Sequence, residues 1–221
     1  MLRIMTIRES FFTISRAKAL TLNICMVVSV LAAFVTVFLS QLVGLYLDSL
    51  LAVVADTLMR ISGFFNFIDI FGVAALLYIL NTFRHELRQR HIWFHIPCLV
   101  VMICDILPLI INMIPFDYGD SSMTICSQYT LYDILTTIVN VTGIIAATIL
   151  SLGLIIKGRG WLRAYGWVYL TCVILSNACA PLTLKLLGDM EPDMTFCYVL
   201  CSFNLLMVIV PTIFLRLTLK F

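Results

Sequence analysis

The residues of this chain with chemistry to offer are polar side chains set inside long apolar runs. Asp105 and Asn112 stand seven apart with Pro108 between them, so a helix places both on one face. Asp133, Thr136, Thr137 and Asn140 make a similar stripe in a second run, and Asn66 and Asp69 are three apart in another. Asn177 and Lys185 share a further run, and Asn204 stands in the last. An ionisable group at mid-bilayer costs about 2.5–3.5 kcal/mol on insertion scales, so it faces the bundle interior or a wet cavity. Asp69, Asp105, Asn112, Asp133 and Asn140 are therefore the expected ligand-binding lining of a polar pocket open to the outer side. Oxygen-rich walls of this kind suit a small solute or a cation. The plainer reading makes each group an interhelical hydrogen bond that only holds the bundle together. It suits the asparagines and threonines better than Asp69 and Asp105. Asp133 is expected near the interface, and Lys185 can snorkel or pair with Asp189.

Other chemistries find little support. HExxH, GxSxG and Walker A patterns are missing, and KGRG resembles a phosphate loop only in composition. No catalytic residue and no cofactor are expected. An intramembrane enzyme built on paired aspartates would lack a second catalytic element. His91, His95 and Cys98 have a spacing that could meet a metal, but no second ligand-rich segment accompanies them, so no metal is expected. The eight cysteines form no CxxC pair, and most lie in apolar runs where a thiol packs as a small hydrophobe. Cys126 and Cys197 fall near the outer face and could bridge in an oxidising compartment. Asn140-Val141-Thr142 fits the glycosylation pattern but lies inside a run, where it should stay unmodified. Nothing points to nucleic acid.

The elements that must position these groups follow from composition. Of 221 residues, 62% are hydrophobic and 12% charged, against about half and about a quarter in a soluble domain. Mean hydropathy is +1.08. The main solvent is therefore lipid, and the chain reads as one integral membrane domain over residues 1–221. Runs of about 20 apolar residues cross the hydrocarbon core. Six qualify, at about 20–44, 61–82, 96–115, 131–156, 165–187 and 196–215. They do not alternate as barrel strands would, so they read as helices, and the fold class is an all-α polytopic bundle.

Charge sorting orients it. Twelve of the fourteen Lys and Arg residues fall in the N-terminal segment, Phe83–His95, the 157–163 turn and the C-terminus, opposed by Glu9 and Glu86 alone. The other loops carry Asp48, Asp56, Asp117, Asp120, Asp189, Glu191 and Asp193. By the positive-inside rule both termini are cytoplasmic, which requires an even number of spans. Trp93, Trp161 and Trp167 fall at the inner boundary, while Tyr46, Tyr118, Tyr129 and Tyr198 fall at the outer one, as headgroup-seeking aromatics should. Met1–Lys18 reads as a basic, partly amphipathic lead-in along the inner interface, followed by an uncleaved first span. In Tyr46–Arg60, Asp48, Ala52, Asp56 and Arg60 recur every four residues, the pattern of a short amphipathic surface helix after the first span.

The functional expectation is a multi-pass membrane transport component in the cell or plasma membrane. Its energy would come from an ion gradient or from a partner subunit docking at Phe83–His95. The alternative from another class is a non-transporting sensor or assembly partner, whose spans pack against another protein.

Overall fold

A computed structural model describes residues 12–36, 52–90, 92–113, 122–187 and 194–220. Among the described residues the chain forms six helices between two short strands. In chain order these are β1 (Phe12–Thr13), α1 (Arg16–Phe34), α2 (Ala52–Gln89), α3 (His95–Met113), α4 (Ser122–Lys157), α5 (Trp161–Leu187), α6 (Met194–Leu217) and β2 (Leu219–Lys220). Consecutive helices pack against each other from α1 to α6, and α6 returns to α1, closing a ring. Contact between α2 and α6 runs across it.

Small residues let the helices approach. A Cβ built on Gly72 of α2 would collide with the Ala32 side chain of α1, and one built on Gly153 of α4 would enter the Phe94 ring. Small-residue contacts of this kind substitute for a hydrophobic driving force, which is weak between helices in lipid. The α4–α5 turn is closed by Gly160 in the left-handed region at φ 54°, a conformation glycine adopts without Cβ strain. The Gly158 amide donates to the Leu154 carbonyl at 2.8 Å and Arg163 Nε donates to the Gly158 carbonyl at 3.1 Å.

The outer surface of the ring is apolar. Leu20, Ile24 and Leu31 on α1 and Ile138, Val141, Ile145 and Ile156 on α4 are all exposed. Three helical stretches, Arg16–Phe34, Phe67–Gln89 and Ile134–Lys157, are long and apolar enough to cross a membrane. Contiguous apolar surface of this extent marks a membrane-associated protein.

Two boundaries differ from the sequence expectation. Residues 46–51 of the expected surface helix lie outside the described residues, but Ala52–Arg60 continues into the second apolar run without a break. Likewise Ser122–Thr130, expected in an outer loop, is the start of α4. The reason is local: neither stretch contains a proline or a glycine, so nothing stops a helix already nucleated by its apolar neighbour. At 38 and 36 residues, α2 and α4 are about 57 and 54 Å long, well beyond the roughly 30 Å hydrocarbon core.

The third difference is at the N-terminal side. Of the segment expected to lie along the interface, Phe12–Ile14 is extended: the Phe12 amide donates to the Thr218 carbonyl at 2.7 Å, and the Ile14 amide to the Lys220 carbonyl at 2.6 Å. β1 and β2 therefore pair in parallel, Phe12 opposite Leu219 and Thr13 opposite Lys220. Phe12 and Ile14 are buried while Thr13 is exposed, the two-residue period of a strand rather than the face of a helix.

Candidate functional site

A cavity of about 160 Å³ lies between α2, α3, α5 and α6. Its walls are Leu76 and Leu80 of α2, Asp105 of α3, Tyr165 and Tyr169 of α5, and Met207, Val208, Pro211, Thr212 and Leu215 of α6. Each contribution follows from helical register. On α2, Asp69, Leu76, Leu80, Phe83 and Leu87 recur at intervals of seven, four, three and four, so one face carries them all inward. On α3, Cys98, Val101 and Asp105 share a face in the same way, and Cys98 and Val101 are buried.

Asp105 is the one ionisable acid in the cavity wall, and the phenols of Tyr165 and Tyr169 lie close enough to interact with it electrostatically. Among the described residues no side chain or backbone group hydrogen-bonds to its carboxylate and no cation pairs with it. Apart from Thr212, the rest of the cavity wall is hydrocarbon and the Met207 thioether. The Thr212 hydroxyl donates to the Val208 carbonyl at 2.8 Å, so its proton is committed while its oxygen lone pairs are available. Pro211 sits inside α6 and has no N–H, which leaves the carbonyl of Met207 without its usual helical donor. Both residues line the cavity.

The remaining residues expected at the site fall in different places. Asp69 is half-buried on the inward stripe of α2, seven residues from Leu76 and so about 10 Å further along the helix. Asn204 is half-buried on α6, three and four residues before Met207 and Val208. These two extend the polar character away from the basic end. Asn140 is exposed on α4, a helix that contributes nothing to the cavity wall. The side chains of Asn66, Asn112, Asp133 and Lys185 lie outside the described residues, as do those of Cys126 and Cys197. Register alone therefore brings Asp69 and Asp105 to neighbouring helix faces and leaves Asn140 on another surface.

Several wall residues carried no weight in the sequence. Tyr165 and Tyr169 are four apart on α5 and stack at 5.5 Å between centroids with an interplanar angle of 10°. An i,i+4 aromatic pair was a legible signal, but in an apolar run it reads first as packing. Pro211 followed by Thr212 was the other signal.

From the cavity an aromatic series leads to the basic end. Tyr165 meets Phe83 edge-on at 5.7 Å, Phe83 meets Phe12 at 5.6 Å, and the Arg90 guanidinium lies 4.8 Å over the Phe12 ring. Tyr165, Phe83 and Phe12 are each no more than 1% exposed, so this series seals the cavity on that side. Beyond it, Arg216 ties the chain ends together. Its guanidinium donates to Asn23 Oδ1 at 2.8 Å, to the Ala19 carbonyl at 3.2 Å and to the Leu219 carbonyl. Lys220 Nζ lies 5.5 Å over the Trp161 ring. The paired strands β1 and β2, the α2–α3 connector and the α4–α5 turn thus meet at one end of the ring.

The histidines behave as connector residues. His95 Nδ1 donates to the Ile92 carbonyl at 2.8 Å, and His85 Nε2 lies 2.9 Å from Gln89 Nε2. Cys98 points its thiol at the Leu80 carbonyl at 3.8 Å. His91 lies outside the described residues. No protein-family model matches the chain, and no curated protein sequence and no solved structure is significantly similar to it.

Proposed function

We propose that this protein is a membrane transport component that binds a small solute or cation from the outer side, with Asp105 as the anchoring group. The observation that carries the reading is a carboxylate on the wall of a cavity inside a helical bundle, with no partner among the described residues. A charge in that setting is costly unless a ligand or water completes it. Access is from the side of Asp69 and Asn204, because the aromatic series Tyr165–Phe83–Phe12 closes the other side.

The same reading has six spans with both termini cytoplasmic. Two features support it: the sorting of Lys and Arg in the sequence, and the meeting of strands β1 and β2 with the connector and the basic turn at one end of the ring. No ATPase motif is present, so the driving force is an ion gradient or a partner at the Phe83–His95 connector. The test is solute-dependent flux in liposomes reconstituted with the purified full chain, read together with Asp105→Asn. Flux that persists unchanged in the variant removes Asp105 from the mechanism. Terminal tags reached from outside an intact cell would reverse the orientation.

A second reading, an assembly partner or non-transporting sensor, draws on Asn140. An exposed amide beside Ile138 and Val141 gains most from a hydrogen bond to another transmembrane helix. Site-directed cross-linking at position 140 to a second protein, with no flux in liposomes, would favour it.

A further inference from the structure

We infer that the ligand of the α2–α3–α5–α6 cavity is an organic ammonium ion with a compact apolar body, rather than a bare metal ion. The inference rests on the binding site proposed above and narrows what enters it.

Charge sets the first condition. The wall holds one carboxylate, and no cation among the described residues meets it, so a single positive charge is the complement. Oxygen supply sets the second. A calcium-like ion takes six to eight oxygen ligands, and magnesium demands a near-ideal octahedron. Here the wall offers the Asp105 carboxylate, two phenols and the Thr212 hydroxyl. Among the described residues no three His, Cys, Asp or Glu side chains are placed to hold a metal ion together. A dehydrated metal ion would be left short of ligands on the side facing Leu76, Leu80 and Leu215. An ammonium head needs far less. It has three N–H donors, which the carboxylate, a phenol and the Thr212 hydroxyl oxygen can accept.

The hydrocarbon wall then becomes an advantage. Leucine, valine and methionine side chains cannot replace an ion's hydration shell, but they pack against a carbon body. The stacked tyrosines add aromatic surface of the kind that attracts ammonium groups. Size sets the last condition. A dry cavity of about 150 Å³ in another protein accepts benzene, and this cavity is of about 160 Å³. A body of roughly six to eight non-hydrogen atoms fits by that comparison.

The experiment uses the full chain in lipid nanodiscs, titrated calorimetrically with benzylammonium, with its neutral isostere benzyl alcohol, and with sodium and magnesium chloride at constant ionic strength. Benzylammonium is expected to bind with one-to-one stoichiometry, and benzyl alcohol about 30-fold more weakly or worse, because a buried charge pair is lost. Asp105→Asn should bring benzylammonium down to the level of the alcohol. The wild-type comparison decides the question by itself even where the variant does not fold. Binding of sodium or magnesium with none of benzylammonium, or equal binding of ammonium and alcohol, overturns the inference. Asp105-dependent flux of an inorganic cation would then leave the transport reading standing. Benzylammonium binding with no flux in liposomes leaves the inference standing and overturns transport. No binding and no flux of any of the four probes overturns both.

Discussion

Arg216 and Asp105 are both ionisable groups drawn into the same ring of helices, and the fold treats them in opposite ways. Arg216 is half-buried at the end where the strands pair, and its guanidinium has acceptors from α1, β2 and the Asn23 side chain. Asp105 lies on a cavity wall with no protein partner among the described residues. A charge that is completed by its own chain is part of the framework, since removing it strands the acceptors it had satisfied. A charge left incomplete beside a cavity contributes nothing comparable to folding. The contrast separates the two roles more sharply than burial does.

The largest effect should come from the framework side. Phe83 is fully buried between Phe12 and Tyr165, and Phe83→Ala should lower stability by about 3 kcal/mol, the low end for a buried phenylalanine because hydrocarbon transfer counts for less in a lipid setting. Thermal unfolding in detergent measures it. A loss under about 1 kcal/mol would mean that the aromatic series is loosely packed and does not seal the cavity. Next comes Arg216→Ala, expected to cost about 2 kcal/mol, one charge-assisted hydrogen bond net after allowing for solvent screening. Arg216→Lys should recover only part of it, since a point charge cannot span three acceptors as the guanidinium fork does.

Asp105→Asn should change the ligand-free stability by no more than about 1 kcal/mol, and in the stabilising direction, because an incomplete charge is being neutralised. Unfolding of the ligand-free variant checks this directly. A loss as large as that of Arg216→Ala would place Asp105 in the framework and erase the comparison. The smallest effect is expected at Asn140. Its side chain is exposed on α4, so Asn140→Ala should shift stability by less than about 0.5 kcal/mol and leave liposome flux unchanged. A large drop in flux would show that α4 shares in the site.

Much of this architecture was legible in the order of residues. Apolar runs of lipid-crossing length, and the concentration of bases in alternate connectors, are one-dimensional signals that need no packing to be read. The boundaries were less so. The acidic repeat of Tyr46–Arg60 looked like a separate surface element, yet its described part runs on into α2 because no residue there interrupts a helix. Asp105 stood out in the sequence as a charge inside an apolar run. Tyr165, Tyr169, Pro211 and Thr212 did not, since an aromatic or a proline in an apolar run has the same local appearance whether it faces lipid, a neighbour or a cavity. Asn140 shows the converse: its polarity was plain and its outward direction was not.

Sequence alone determined that the chain is a helical, lipid-facing protein, because hydropathy over a bilayer's thickness and local helix formation act within a single segment. Only the tertiary structure decided which polar groups share a space. Which face of one helix meets which face of another is fixed by contacts between residues far apart in the chain, such as Gly72 with Ala32, Phe12 with Phe83 and Arg216 with Asn23. Those contacts satisfy Arg216 within the fold and place Asp105 on a cavity wall.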